Sequence, residues 1–309
     1  MKLEFANLAA IDITTACNFQ CAHCYNNSGN TRQDSLSYEE LKKTVAAILD
    51  FRPANLCFCG GEPLLYPRLL ELMDLTAGKV ANLNLVSNGW FITREKADEL
   101  VSHGLSSIQI SLDGAEAWQH DSLRGKAGAF ERAEQAIANM RSAGIRQIMV
   151  SMLPDRLNFR SLPKYFSLCR QLQVDTIRVV PFIPAGRGLN IGRNLMLNTE
   201  EMFEFQRHLW ELAAEYAGII TAEWDDPVRS ARVVHEQIIK GRSPVIIVSS
   251  TGEVKTDFFT PVVLGNIRDR SLREILTSPI TGEVQQKISR LLNEYHQLYD
   301  MEDVNEILS

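Results

Sequence analysis

The chain lacks the features that would direct it to a membrane, a secretory pathway or a nucleic acid. No stretch approaches the roughly 20 consecutive apolar residues that a membrane-spanning helix needs. The first residues carry an acid, Glu4, and no apolar secretory run. Lys and Arg number 32 against 38 Asp and Glu, and the net charge of −6 argues against nucleic acid as the main partner. The six cysteines are therefore expected to be reduced or metal-bound in a cytoplasmic protein.

The first half of the chain alternates short apolar runs with helical patterns. The 45% hydrophobic content of the 309 residues is enough for a sizeable core. Alternating strands and helices predict a parallel sheet covered by helices, here a partial (β/α)6 barrel of the TIM type, with its chemistry at the carboxyl ends of the strands. The predicted strands are residues 8–13, 55–59, 82–86, 107–112, 147–151 and 176–180, and the predicted helices are 41–49, 64–79, 93–103, 129–143 and 159–172. The run Ser37-Tyr38-Glu39-Glu40 predicts a capping start for the first of these helices.

The rhythm changes after Pro181. The pattern predicts helices over residues 199–217 and 227–240, a hairpin of strands 245–248 and 253–259, and helical stretches at 272–276 and 283–299. We therefore expect a barrel core over residues 1–190 and a small α+β extension over 191–309.

Three cysteines near the start of the chain are the most informative feature. Cys17, Cys21 and Cys24 have the spacing C-x3-C-x2-C. A [4Fe–4S] cluster is normally held by four thiolates, so three would leave one iron open to S-adenosylmethionine (SAM), which offers an amine and a carboxylate. A structural zinc site would need a fourth ligand, and His23, between two of the cysteines, would strain a tetrahedral geometry. A disulfide framework would require a secreted chain, and inert thiols are the remaining alternative.

Further motifs follow the predicted strands in order. They are Gly60-Gly61-Glu62-Pro63, Ser87-Asn88-Gly89, Ser111-Leu112-Asp113-Gly114 and His120-Asp121-Ser122-Leu123-Arg124-Gly125. In these motifs and the three cysteines the chain resembles the radical SAM superfamily over roughly residues 8–182, and within it the peptide-modifying branch that carries a SPASM or twitch extension.

The resemblance implies a role for residues of the cysteine loop. Cys17, Cys21 and Cys24 would ligate the cluster. His23 stands where the family has an aromatic residue near the adenine of SAM, and Tyr25 would assist it there.

The glycine motif after the second strand is implied to bind the methionine part of SAM. Gly60 and Gly61 would let the backbone approach the ligand, and Glu62 would help to hold the turn. The alternative is a plain strand-to-helix turn with Pro63 at the first helical position.

The motifs after the third and fourth strands are implied to complete the SAM site. Ser87 and Asn88 would contact the ribose, unless they form an ordinary Asn-Gly turn. Ser111 would touch SAM, and the guanidinium of Arg124 would pair with its carboxylate, unless Arg124 forms a surface salt bridge. Asp113 is either a SAM contact or a loop cap.

The C-terminal part resembles the SPASM or twitch extension in degenerate form. In the family this region binds auxiliary Fe–S clusters through cysteines, whereas this chain has none after Cys169 and has Thr256-Asp257-Phe258 beyond the hairpin. The resemblance there rests on residues 250–254 and 264–276. We therefore expect a single cluster.

The resemblance implies that the reduced cluster cleaves SAM to a 5′-deoxyadenosyl radical, which abstracts hydrogen from a substrate. A ribosomally made precursor peptide is the expected substrate, and the absence of auxiliary clusters favours a redox-neutral change such as epimerisation. Epimerisation needs a hydrogen donor, and Cys59 is the candidate because Cys57 and Cys59 point to the same face of a strand. The alternative is that both thiols pack as small hydrophobic groups.

The expected partners are the precursor peptide, an electron donor such as flavodoxin or ferredoxin, and a separate peptide-recognition protein, because the first strand begins near residue 8. Two other functions remain open at this point. One is a radical SAM enzyme for a small molecule, such as a sugar alcohol or a tetrapyrrole side chain, and the other is a non-enzymatic Fe–S or zinc protein.

Overall fold

One ten-stranded sheet organises the chain. The computed structural model describes residues 7–182, 185–190, 195–225, 245–255, 262–279, 281–287 and 289–290. The strand order is β10-β9-β8-β1-β2-β3-β4-β5-β6-β7. The strands are β1 (Leu8–Thr14), β2 (Asn55–Gly60), β3 (Asn82–Ser87), β4 (Ser107–Ser111), β5 (Gln147–Met152), β6 (Thr176–Val179), β7 (Thr221–Trp224), β8 (Val245–Val248), β9 (Glu253–Lys255) and β10 (Val263–Asn266).

The sheet is parallel from β8 through β1 to β7, and β9 and β10 add antiparallel pairs at one edge. The α/β class and all six predicted strands are confirmed. Two further parallel strands, β7 and β8, extend the predicted barrel, one beyond β6 and the other beyond β1. The sheet thus continues past residue 190, and the division into a 1–190 core and a 191–309 extension stays a prediction.

Helices follow the strands along the chain. They are α1 (Tyr38–Leu49), α2 (Leu69–Asp74), α3 (Arg94–Ser102), α4 (Ala117–Arg124), α5 (Ala129–Ser142), α6 (Leu162–Gln171), α7 (Thr199–Glu215) and α8 (Leu272–Thr277), with 3-10 turns at Pro63–Leu65, Phe159–Ser161 and Gly186–Asn190. The predicted start of α1 is confirmed, because Ser37 and Glu40 form a reciprocal capping box. Among the described helices, none is both long and apolar enough to cross a bilayer.

Some predicted helices were wrong in extent. The predicted helix 64–79 is a 3-10 turn followed by the short α2. The cause is Pro67, which lacks an N–H and disfavours helical geometry at the residue before it, and Tyr66 is accordingly extended (φ −81°, ψ 114°). Helix α4 was not predicted. The predicted helix 227–240, residues 256–259 of the hairpin and most of 283–299 lie outside the described residues.

The two faces of the sheet differ in chemistry. Successive side chains of a strand point to opposite faces. The outer face packs against the helices through apolar side chains such as Ile11, Phe58 and Leu85, which are fully buried. The inner face carries mostly small or polar side chains around a cavity, among them Cys57, Cys59, Asn84, Gln109, Ser111, Ser151 and Arg178.

Candidate active site

A cavity of about 260 Å³ lies at the carboxyl ends of the parallel strands. The structure brings nearly all of the predicted site residues to its wall. The predicted residues that line it are Cys17, Cys21, His23, Cys24, Tyr25, Cys59, Gly60, Gly61, Ser87, Asn88, Ser111, Asp113 and Arg124. Glu62 is the predicted site residue that is not part of this lining.

The cysteine loop is closed at its base by backbone hydrogen bonds. The N–H of Cys17 donates to the carbonyl of Gly29 over 2.7 Å, and the N–H of Gly29 donates to the carbonyl of Thr15 over 2.9 Å. The loop residues 17–28 are therefore held as one turn at the end of β1, with all three thiols free and at the cavity wall.

The thiol sulfurs are placed as hydrogen-bond acceptors. The N–H of Phe19 donates to Sγ of Cys17, and the N–H of Ser28 donates to Sγ of Cys24, each over 3.4 Å. Burial raises the pKa of Cys17 to about 11 and also raises that of Cys21. Backbone donors of this kind suit a metal-bound thiolate. In the part of the chain that the structure describes, no three His, Cys, Asp or Glu side chains lie close enough to share a single metal ion.

The glycine motif joins the end of β2 to the base of the cysteine loop. The N–H of Gly61 donates to the carbonyl of Thr14 over 2.8 Å, and the N–H of Glu62 donates to that of Ala16 over 2.7 Å. A Cβ on Gly61 would lie 2.1 Å from the oxygen of Ala16, and Gly60 has φ +121°. Only glycine fits this close approach, which explains why the motif contains two of them.

Glu62 lies behind the cavity wall. It is fully buried and accepts hydrogen bonds from the Ser87 hydroxyl (2.9 Å) and from the N–H groups of Asn88 (2.8 Å) and Leu64 (3.2 Å). Burial raises the pKa of Glu62 to about 7, against the effect of its three donors. Glu62 therefore fixes the end of β3 relative to the glycine motif. Its side chain does not line the cavity.

Asn88 connects the end of β3 to the cysteine loop. Its Nδ2 donates to Oδ1 of Asn18 over 2.8 Å, and its own Oδ1 accepts from the N–H of Trp90 over 3.0 Å. Both ends of the Asn88 amide are thus engaged by the protein. The predicted ribose contact of Ser87 and Asn88 stays a prediction.

Arg124 and Asp113 form a largely buried ion pair at the cavity. Nε of Arg124 lies 2.5 Å from Oδ2 of Asp113, and the two side chains are 13% and 1% exposed. Oδ1 of Asp113 accepts from the N–H of Leu153 over 2.9 Å. Burial would raise the pKa of Asp113, but the charge and hydrogen bond of Arg124, together with His23 and His120, hold that pKa below its usual value. The alternative of a surface salt bridge for Arg124 is wrong, because its partner lies in the interior.

His23 and Tyr25 flank Cys24 in the sequence, and both line the cavity. Burial lowers the pKa of His23 to about 3, so the imidazole is neutral. Within the described residues, Nδ1 of His23 is a buried atom without a hydrogen-bond partner. Burial also raises the pKa of Tyr25 well above its usual value. A buried polar atom left open at a cavity wall is a place where a ligand can bond.

Cys57 and Cys59 both face the cavity, as their spacing in the strand predicted. Nδ2 of Asn84 donates to Sγ of Cys57 over 3.4 Å, and Sγ of Cys59 donates to the carbonyl of Ile11 over 3.6 Å. The Cys57 thiol, burial and the Asp12 carboxyl together raise the pKa of Cys59 well above its usual value. Cys59 therefore keeps its S–H at neutral pH.

Sequence reasoning missed three charged residues at the cavity. Arg178 of β6 lies 3.1 Å from Oδ2 of Asp225, just beyond β7. Arg187 donates from Nε to the carbonyl of Cys21 over 3.0 Å, and its backbone N–H donates to that of Cys24 over 2.9 Å. The inward position of Arg178 could have been found from strand alternation, whereas no local pattern shows that Arg187 reaches the cysteine loop.

Comparison with known proteins decides the family. The model of the radical SAM superfamily matches residues 11–168, which include the three cysteines and the motifs after β2, β3 and β4. The chain belongs to the radical SAM superfamily.

Curated proteins of different activities are similar to this member of the superfamily. Mycofactocin maturase MftC of Mycolicibacterium smegmatis is 30% identical over 213 residues, which cover 69% of this chain and 53% of that protein. The chain thus spans about half the length of the maturases that it matches. AdoMet-dependent heme synthase of Methanosarcina barkeri is 26% identical over 285 residues, which cover 87% of this chain and 81% of that protein.

Solved structures share the fold. SuiB of Streptococcus suis, bound to the precursor peptide SuiA, matches with a TM-score of 0.75 at 11% identity and covers 91% of this chain and 67% of that chain. The enzyme anSMEcpe, bound to AdoMet and a peptide, matches with a TM-score of 0.70 at 18% identity and covers 96% of this chain and 84% of that chain. At these identities the likeness establishes the partial-barrel fold.

The residues present fit the cofactors that the superfamily uses, a [4Fe–4S] cluster and SAM. Three free thiols with backbone donors to two of their sulfurs form a donor set for iron. Beside them, the buried Nδ1 of His23 is open and Arg124 is held at the wall by Asp113. The site therefore combines sulfur ligands with a fixed cation suited to a carboxylate.

Proposed function

We propose that this chain is a radical SAM enzyme that abstracts a hydrogen atom from a ribosomally made peptide and modifies it after translation. The observation that carries the proposal is the convergence of Cys17, Cys21, Cys24, Ser111 and Arg124 on one cavity. These residues come from the loop after β1, the end of β4 and α4. Membership of a superfamily that uses a [4Fe–4S] cluster and SAM explains why they converge.

Each group at the wall has one task. The cluster and SAM, when bound, supply a 5′-deoxyadenosyl radical after one-electron reduction. The three thiols would hold the cluster, and Arg124, oriented by Asp113, would face the SAM carboxylate. Ser111 would contact SAM beside Arg124. The sheet surrounds part of the cavity, which would limit the access of water to a radical formed there.

The peptide substrate is supported by the 30% identity to mycofactocin maturases and by the SuiB fold, which is seen with a precursor peptide. The matching regions cover about half of each maturase, so the substrate is inferred for this chain and not transferred from them. An electron donor such as flavodoxin or ferredoxin and a separate peptide-recognition protein are proposed as partners, and the reducing cytoplasm as the location.

A second candidate is a reaction on a tetrapyrrole side chain. The specific observation that favours it is the similarity to heme synthases over most of both chains, at 26% identity. Nothing in the structure favours a sugar alcohol. Membership of an enzyme superfamily argues against the non-enzymatic alternative.

Epimerisation is the proposed outcome, with Cys59 as the hydrogen donor. The S–H bond of Cys59 would break homolytically as a new C–H bond forms on the opposite face of the peptide Cα. The sulfur radical would return to a thiol by taking one electron from the external donor and one proton from solvent. The inward position of Cys59 and its raised pKa, which preserves the S–H, support this role.

The first experiment is anaerobic reconstitution followed by reduction with dithionite in the presence of SAM. We expect about four irons per chain and formation of 5′-deoxyadenosine. Candidate substrates are any short peptide found to be encoded beside the gene and an iron coproporphyrin, each followed by mass spectrometry in D2O. A gain of one deuterium in the peptide would support epimerisation, conversion of the porphyrin alone would favour the second candidate, and absence of 5′-deoxyadenosine would refute both.

The role of Cys59 is tested by Cys59→Ala, with Cys57→Ala as the matched control on the same face. We expect Cys59→Ala to lower deuterium incorporation at least about tenfold while 5′-deoxyadenosine still forms, since a donor acts only after abstraction. Deuterium incorporation at the wild-type rate in Cys59→Ala would exclude this thiol as the donor.

A further inference from the structure

A tryptophan on the outside of the cysteine loop carries two cations. Nζ of Lys126 lies 4.7 Å from the ring centroid of Trp90, and Cζ of Arg132 lies 5.4 Å from it. Both distances are within the range of cation–π attraction. We call Trp90, Lys126 and Arg132 the Trp90 patch. None of the three lines the cavity, so the patch is separate from the proposed active site.

The Trp90 patch is joined to the cysteine loop through one aromatic ring. Phe19 lies between Cys17 and Cys21 in sequence, is 1% exposed and packs with Cys21. The rings of Phe19 and Trp90 meet edge to face, with centroids 5.7 Å apart. Trp90 itself is half-buried, and its backbone N–H donates a hydrogen bond to Oδ1 of Asn88. Going outward from the thiols, Phe19 is therefore followed by Trp90 and then by the two cations.

The two cations of the patch have no ion-pair partner among the described residues. Many of its other cations, including Arg68, Arg94 and Arg207, are paired with a carboxylate. Within the described residues, Lys126 and Arg132 have no carboxylate within 4 Å, although the whole chain carries a net charge of −6.

Described acids lie near the patch in sequence, among them Asp121 and Glu131, and neither of these two forms an ion pair with Lys126 or Arg132. The carboxylate of Asp121 accepts hydrogen bonds from the N–H groups of Gly128 and Phe130, and Glu131 is exposed beside Arg132 in helix α5. An aromatic ring and two cations without an ion-pair partner among the described residues therefore lie together beside the cysteine loop. Electrostatic complementarity would direct a negatively charged partner to this place.

We propose that the Trp90 patch is the docking surface for an acidic one-electron donor protein. The inference rests on the proposed function, because a cluster held by the three thiols must gain one electron for each SAM that it cleaves. The donor loses that electron and the cluster gains it, with no proton transfer needed. Electron-transfer complexes are small and transient, and a compact patch of one aromatic and two cations suits such an encounter.

The test uses the reconstituted enzyme and a reduced flavodoxin of net negative charge. The double variant Lys126→Glu/Arg132→Glu is compared with wild type and with Lys43→Glu, an exposed cation of α1. We expect the double variant to lower flavodoxin-driven 5′-deoxyadenosine formation about tenfold at low salt and to weaken flavodoxin binding by calorimetry about as much. Dithionite-driven formation should stay within about twofold of wild type, because a small reductant needs no docking surface.

The outcomes distinguish failure of the docking surface from failure of the proposed function. Equal flavodoxin rates and affinities in the double variant and wild type would overturn the docking surface, and so would an equal loss in Lys43→Glu. A wild-type enzyme that forms no 5′-deoxyadenosine with dithionite would overturn the proposed function instead. In that case the calorimetric comparison still tests the patch, since it requires no turnover.

Discussion

The two faces of the central sheet carry different kinds of side chain, although residues that point to one face alternate with residues that point to the other along each strand. On β2, Leu56 and Phe58 face the helices, while Cys57 and Cys59 face the cavity. The outer face is apolar and fully buried, and its side chains serve the fold. The inner face has thiols, amides, hydroxyls and an ion pair, which make a poor core and a useful site.

The comparison teaches that stability and chemistry are separated by strand parity in this protein. Burial of apolar surface on the outer face contributes most of the folding free energy, because that term scales with apolar area. Polar inner residues gain little by burial unless they are hydrogen-bonded. Substitutions on the outer face should therefore lower the stability of the protein, and substitutions on the inner face should lower its activity.

The largest expected effect comes from removing one of the proposed cluster ligands. Cys21→Ala should abolish SAM cleavage and leave the protein well short of about four irons per chain, because two thiolates cannot hold the cluster. The measurements are iron and sulfide content, the visible absorbance of the reconstituted protein and 5′-deoxyadenosine formation. Cys169→Ala is the matched control, since Cys169 is buried in α6 among core residues. Full iron content in Cys21→Ala would show that Cys21 does not hold the cluster.

The next effect separates the two faces directly. Phe58→Ala on the outer face should lower the free energy of unfolding by about 3–5 kcal/mol, because it leaves a cavity in the core. Gln109→Ala on the inner face should lower it by less than about 1 kcal/mol, because Gln109 faces an existing cavity. The measurement is urea unfolding of the protein before reconstitution. Equal losses in the two variants would contradict the division of labour between the faces.

A smaller effect concerns pH and Glu62. Its pKa is about 7 in the folded protein against 4.5 ordinarily, so the folded state keeps a proton that the unfolded state loses. The contribution of Glu62 to the free energy of unfolding should therefore fall as pH rises from about 4.5 to 7, by up to about 3 kcal/mol. Glu62→Gln should remove this contribution, seen as the difference from wild type in urea titrations at each pH.

The window from pH 6 to 7 is the most diagnostic for Glu62. Burial also raises the pKa of Asp12 and Asp155, but only to about 6, so their contributions are largely complete below that pH. Glu71→Gln is the control, because Glu71 is exposed and Arg68 lowers its pKa. An unchanged slope between pH 6 and 7 in Glu62→Gln would show that Glu62 is ionised in the folded protein.

Much of the fold was predictable because its signals are local. Apolar runs predicted all six strands of the core, and the capping pair Ser37 and Glu40 predicted the start of α1. The failure at residues 64–79 had a local signal as well, since Pro67 stands within the predicted helix. The short strand β7 was missed because four residues show too little periodicity to be recognised.

The site was predictable where its residues belong to motifs and obscure elsewhere. Thirteen of the predicted site residues line the cavity, but Glu62 does not, because its carboxylate turns inward to Ser87 and Asn88. Arg187 and Asp225 escaped prediction because they reach the cavity from positions far along the chain. Their contacts depend on the path of the backbone after β6 and β7.

The amino-acid sequence by itself determined the three-cysteine motif, the alternation of strands and helices, and the placement of each motif at the end of a strand, since spacing and periodicity are properties of neighbouring residues. The tertiary structure alone decided which charges meet: Arg124 with Asp113, Arg178 with Asp225, and Lys126 and Arg132 with Trp90. Sheet order and helix packing bring these groups together across 11 to 47 residues of chain, and no local pattern encodes such distances.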